Sequence, residues 1–205
     1  MKTPRRSAAF PSPVLAMAGF LAFASISSSV SPDLLSGQEP EVIEALTTEM
    51  EAVFSEIPYM VEHTMTVLGY AREIMAEEGG QPLVVLGSAL MHDVGIPRAR
   101  EIHGSSRGEF QEIEGPPIAR EILERHEVAP QAVDHISGIV ANHHSDEDQE
   151  IVTTLEFKIL WDSDWLVNFP NRYKDRSNQE KEDAIESIFK TGKGKRLARQ
   201  MCLED

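Results

Sequence analysis

Cysteine is almost absent from this 205-residue chain: the single one is Cys202, close to the C-terminal end. An intrachain disulfide and a cysteine-rich zinc site are therefore both excluded. Positive charge is also scarce, with 19 Lys and Arg against 34 Asp and Glu, a net charge of −15. That balance argues against a nucleic-acid polymer or an anionic membrane surface as the main partner. It leaves room for a small phosphorylated substrate, because a bound cation can reverse the local field. Long apolar runs are missing too. The longest, PVLAMAGFLAFASI near the start, is too short and interrupted for a membrane span.

What is present fits one domain of ordinary globular composition, 41% hydrophobic and 26% charged. Residues 1 to 38 stand apart from it. A basic MKTPRR, the apolar stretch and a serine-rich segment follow in the order of a secretory signal, and Ala22-Phe23-Ala24 offers a cleavage spacing. A true signal would make the protein exported or periplasmic. A leader of any other origin leaves it cytoplasmic. Residues 39–205 form the domain in either case.

That domain reads as all-α. EPEVIEALTTEMEAVFSEI places Val42, Ile43, Leu46, Met50, Val53 and Phe54 on one stripe of a helix. YMVEHTMTVLGYAREIMAEEGG is a second helix ended by two glycines, and QPLVVLGSALMHDVG is apolar nearly all round, as a central helix is. PRAREIHGSSRGEFQEIEG reads as loop or short turns, with the next helix starting at PPIAREILERHE. PQAVDHISGIVANHH, LEFKILWDSDWLVNF, EKEDAIESIFK and GKRLARQMCL supply the rest.

Several polar residues interrupt these apolar faces. His63 shares a stripe with Val67, Tyr70, Ala71 and Ile74, so it points inward. His92 and Asp93 end the central helix where Gly95 and Pro97 stop it. His143 continues the stripe of Ile136, Ile139 and Val140, and His144 follows. Asp162 and Asp164 stand between two tryptophans. A single inward histidine is usually a hydrogen-bonded core residue, but buried carboxylates are costly unless paired or bound to metal. Imidazole with carboxylate and no thiolate suits Mn²⁺, Fe²⁺, Co²⁺, Ni²⁺ or Zn²⁺.

In this order the residues resemble the HD-domain superfamily of metal-dependent phosphohydrolases, and EIHGSSRGEFQEIEGPPIAREIL with IFKTGKGKRLARQ resembles one small branch of it. The resemblance runs from about Glu41 to the C-terminus. It implies a helical bundle of about six to eight helices. It also implies one divalent transition metal held by His63, His92, Asp93 and Asp164, with Asp162 the second choice for the last ligand. Asp93, His143 and His144 would act in catalysis, Asp93 by orienting the attacking water. Where two-metal branches place a histidine, this chain has Gln111, which puts a second ion in doubt. With two ions His143 and His144 would be ligands; with one, a phosphate contact or proton shuttle.

Other branch markers are missing: Val94-Gly95-Ile96-Pro97 replaces the acidic pair of alarmone hydrolases, Ile96 the glutamate of the mononuclear 5′-nucleotidases, and no Gly-Tyr-Pro motif occurs. The implied reaction is hydrolysis of a phosphate ester or anhydride of a small, nucleotide-like substrate. Alternatives are a non-catalytic metal- or ligand-binding module and a di-iron oxygenase. Arg98, Arg100 and Arg107 follow the metal motif, and Lys158 precedes Asp164. Of these, Arg98, Arg107 and Lys158 are the expected substrate contacts, arginine being suited to bidentate phosphate recognition.

Overall fold

The computed structural model describes residues 37–145 and 149–203, so the signal-like leader lies outside the described residues. The described chain is helical throughout: α1 (Glu39–Val53), α2 (Pro58–Glu78), α3 (Pro82–Met91), α4 (Ile96–His103), α5 (Gly108–Arg125), α6 (Pro130–Val140), α7 (Leu155–Arg172), α8 (Asn178–Ile188) and α9 (Gly192–Cys202). A 3-10 turn, Glu150–Thr153, precedes α7. No strand occurs among the described residues.

Proline sets many of the starts. It occupies the first or second position of α1, α2, α3, α4 and α6, where its missing N–H would have had no partner anyway. Side chains cap three later helices: Thr154 accepts from Phe157 N, Thr191 accepts from Gly194 N, and Ser177 forms a reciprocal capping box with Glu180.

The central helix is α3. Every residue from Val84 to Met91 is buried, and the helix packs against α1, α2, α6 and α7. Each large side chain so enclosed stabilises the fold by roughly 1.5–3 kcal/mol. A helix apolar on all sides has to be surrounded, which fixes where its C-terminal end must lie: inside the bundle. In the same bundle α2 packs along α7, α5 along α6, α9 on α7, and α8 on α9. No helix among the described residues is long and apolar enough to cross a membrane.

The stretch expected as loop is mostly helix. Ile96–His103 is α4, ended by Gly104 at φ 64° in the left-handed conformation glycine adopts at helix ends. Helix α5 then begins at Gly108 and runs through Pro116 and Pro117 instead of starting there. The two prolines remove N–H donors that Glu112 and Ile113 would otherwise receive. The helix persists because both halves are packed: Gln111 and Gly115 are buried before the prolines, and Ala119, Ile122 and Leu123 after them.

Gly95 and Gly115 allow a close crossing of two backbones. A Cβ on Gly95 would lie 2.6 Å from Gly115 N and 2.9 Å from Gln111 O, and one on Gly115 would lie 2.9 Å from a Val140 methyl. The turn after His92 and Asp93 is thus seated directly on the main chain of α5.

Candidate metal centre

His63 lies on α2 with Val67, Ala71 and Ile74 buried along the same stripe. His92 and Asp93 follow the last residue of α3 and are themselves buried. The regular helix passes there into tight turns, with Val94 N bonding to Met91 O and Ile96 N to Asp93 O, and the two neighbouring side chains meet. Asp164 comes from α7, where Asn168, one turn on, donates to its Oδ1 at 2.9 Å. His143 and His144 stand in the turn after α6. That turn is tied to α5 by Glu112, which accepts from His144 N at 3.0 Å and Ser145 Oγ at 2.9 Å. Gly108 leaves room for the His144 ring, which a Cβ would approach to 2.7 Å.

These side chains meet. His63 Nε2 is 3.2 Å from Asp164 Oδ1 and 3.4 Å from Asp93 Oδ2, and His92 Nε2 is 3.1 Å from the same Asp93 oxygen. The other oxygen of Asp93 faces His143 Nε2 at 3.5 Å. Two groups of potential ligand atoms result, His63 with His92 and Asp164, and Asp93 with His143 and His144, each within 4.8 Å of one another. Asp93 stands between them and turns one oxygen to each.

The imidazole tautomers are set from behind. His92 Nδ1 lies 2.8 Å from Ala89 O and His143 Nδ1 lies 2.7 Å from Val140 O, so in each neutral ring the Nδ1–H donates to a carbonyl of the preceding turn. In the neutral rings both Nε2 atoms are bare and directed into the cluster, where neither has an aligned hydrogen bond although both are buried; without an ion, Asp93 draws a proton to His143 and raises its pKa against the effect of burial. A histidine oriented by a backbone carbonyl and presenting a bare Nε2 among carboxylates is the donor arrangement a divalent cation requires. The chain's residues fit such an ion.

Charge within the cluster is strongly coupled. Burial opposes the cationic form of His63, but its contacts with Asp164 and Asp93 prevail and raise its pKa from 6.5 to about 10. Burial would raise the carboxyl of Asp93, yet the surrounding His92, His143 and His63 hold it well below the usual range. Asp164 is likewise lowered, burial being outweighed by His63. His144 is pushed down to about 3 by burial and by neighbouring His143. In the metal-free protein a proton on His63 thus occupies the place between two carboxylates that a metal would take, and metal uptake must release it. Because the folded pKa of His63 exceeds the unfolded one, its stabilising effect is complete below pH 6.5 and disappears as pH rises through about 10. Thermal melts of chelator-treated protein should show stability falling over that window. The fall should be reduced in His63→Ala, where His143, raised by Asp93 against the effect of burial, still titrates in the same sense; an equal slope in that variant would refute the role given to the His63 proton.

Asp162, two residues from Asp164, is used differently. Its Oδ1 accepts from Lys190 N at 2.7 Å, and its Oδ2 accepts from Thr191 N and Thr191 Oγ1, both at 2.7 Å. It secures the link between α8 and α9, and Gly194 is packed against it. Of the two acids, Asp164 is the one in the cluster. The segment KTGKGKR is the start of α9 wrapped around this carboxylate.

The expected substrate cations are less well placed. Arg98 is half exposed and pairs with Glu114 at 3.4 Å; Arg107, also exposed, pairs with Glu109 at 2.7 Å and lies over the Phe110 ring. Lys158 is on α7 but about a third of a turn around the helix from Asp164, at 100° per residue. His103, His126 and His135 face Glu114, Glu49 and Glu156 and take no part in the cluster. Sequence reasoning misses the Glu112 anchor, for which only a tertiary contact speaks.

An all-α bundle with a His-Asp pair at the end of its central helix, meeting a histidine and an aspartate from two other helices, defines a recognisable class. The family model of the HD domain matches residues 60–189, more than half of the chain, and the chain belongs to that family. Among solved structures it is similar to a predicted HD superfamily hydrolase from an uncultured Thermotogales bacterium, with 20% identity and a TM-score of 0.56 over 80% of this chain and 84% of the other. At that identity the likeness concerns the fold. Comparison with curated proteins finds no match.

Proposed function

We propose that the chain is a metal-dependent phosphohydrolase that cleaves a phosphate ester or anhydride of a small, nucleotide-like substrate. His63, His92, Asp93 and Asp164 would hold one divalent transition ion, Mn²⁺, Fe²⁺, Co²⁺, Ni²⁺ or Zn²⁺. The observation that carries the reading is the pair of buried, backbone-oriented imidazoles, His92 and His143, whose Nε2 atoms face Asp93 without hydrogen bonds. A bound ion at such a centre supplies a water acidic enough to attack at neutral pH and positive charge for the phosphoryl oxygens.

The chain's own groups then have distinct tasks. Asp93, with one oxygen toward each trio, orients the attacking water through whichever oxygen is not ligating. His143, beside Asp93 Oδ1, contacts phosphate or moves a proton. His144, held neutral by burial, serves the same side of the site as an acceptor. If a second ion binds, His143 and His144 become its ligands with Asp93 shared. Against a full second set stands Gln111, whose side-chain amide is taken up by Ser106 O at 2.7 Å.

The test is metal analysis of the purified full chain, followed by phosphatase assays with Mn²⁺, Co²⁺ or Ni²⁺. About one ion per chain with phosphate release is the expected result. Tight uptake without turnover of any phosphorylated compound would favour a binding module, and two irons with oxygen consumption would favour an oxygenase. A chain that takes up no metal on reconstitution would refute all three.

A further inference from the structure

Carboxylates outnumber cations almost two to one in this chain, 34 against 19, so an arginine near the surface ordinarily finds one. Arg98, Arg107, Arg120 and Arg125 each have a carboxylate oxygen within 3.4 Å. Arg100 does not. Its guanidinium donates at 2.9 Å to the phenol oxygen of Tyr59, a neutral partner, and it forms no ion pair among the described residues. A guanidinium that is permanently charged, has no carboxylate beside it and reaches the surface of an acidic protein is free to take an anionic ligand.

Its position relates it to the metal centre. Tyr59 is four residues before His63 on α2, hence one turn along the same face. Arg100 is on α4, the helix that begins directly after the His92–Asp93 turn. The Arg100–Tyr59 bond therefore joins the two segments that supply three of the four proposed ligands. The side chains of α2 lean toward its N-terminus, so the phenol stands one turn beyond His63 along the helix and not over it. Tyr59 is 52% exposed, so a ligand in solution can reach its phenol. With its oxygen accepting from Arg100, its own O–H remains to donate. Two donors, one charged, thus stand side by side one helical turn from His63.

We infer that Arg100 and Tyr59 form a subsite for a second anionic group of the substrate, a phosphate or carboxylate separate from the phosphoryl group at the metal. The preferred substrates then carry two anionic groups, and Arg100 is the specificity-determining residue, in place of Arg98 and Arg107. This subsite rests on the proposed metal-dependent phosphohydrolase.

The probes are the monophosphates and α,ω-bisphosphates of straight-chain diols of two to five carbons. Their binding to Mn²⁺-loaded full chain is followed by calorimetry, with metal content checked for every variant. In the wild type at least one bisphosphate should bind more tightly than its monophosphate by about 10- to 100-fold, the effect of a charge-assisted contact. Arg100→Ala should remove that gain and leave monophosphate affinity within about 2-fold. Arg100→Lys, a point charge without the fork, should restore part of it, and Tyr59→Phe should lose a smaller share. Bisphosphates no tighter than monophosphates in the wild type would overturn the inference, and so would equal losses for both ligands in Arg100→Ala with metal retained. A chain that takes up no metal overturns the metal centre and this subsite together.

Discussion

The double variant His92→Ala, Asp93→Ala should emerge from purification and reconstitution with essentially no bound metal. Outer groups that merely orient ligands change affinity by about 10- to 100-fold, so removing two of the proposed ligands should exceed the upper figure. Asp93 is the sharper loss, because its two oxygens face His63 and His92 on one side and His143 on the other. Without it both trios lose their shared anion, and phosphate release should fall to background. Circular dichroism checks that the variant is folded, and metal analysis then reads the effect. A folded double variant with wild-type metal content would mean that the cluster is structural and the proposed chemistry wrong.

The second large effect concerns stability and separates two aspartates that look alike in WDSDWL. Asp162→Ala should destabilise the chain by about 3–5 kcal/mol, since three donors at 2.7 Å would be left unsatisfied at roughly 1–3 kcal/mol each before relaxation. For a domain of this size that lowers Tm by about 10 °C. Metal content at a temperature below the transition should be unchanged. Asp164→Ala should do the reverse, losing the metal with a much smaller change in metal-free Tm. Melting curves and metal analysis on the two variants together decide the matter; a swap of the two phenotypes would make Asp162 the ligand instead.

Those two residues also mark where sequence reading stops. The stripe of Val67, Ala71 and Ile74 is enough to turn His63 inward, and the all-apolar α3 is enough to bury its end with His92 and Asp93. Such periodicities are local, and local patterns survive folding. Asp162 and Asp164 are both acids on an apolar helix, and only the distant Lys190–Thr191 backbone distinguishes them. Sequence places the start of α5 too late because Pro116 commonly opens helices, while the packing of Gln111 and Gly115 that carries the helix back to Gly108 is tertiary. In the sequence Arg98 and Arg107 look no different from Arg100. Which of them is neutralised depends on Glu114 and Glu109 lying alongside, which charge counts do not show.

The crossing of Gly95 over Gly115 has a mechanical consequence. Two main chains in contact, with no side chains between them, cannot slide past each other by repacking rotamers. The His92–Asp93 turn and α5 must therefore move as one piece. Widening of the centre to admit a substrate or release a product is then expected from the walls that carry His63 and Asp164, α2 and α7, which pack on each other. Amide hydrogen exchange should record this as slow, concerted opening around residues 92–96 and 111–115, with faster and independent opening along the outer half of α7.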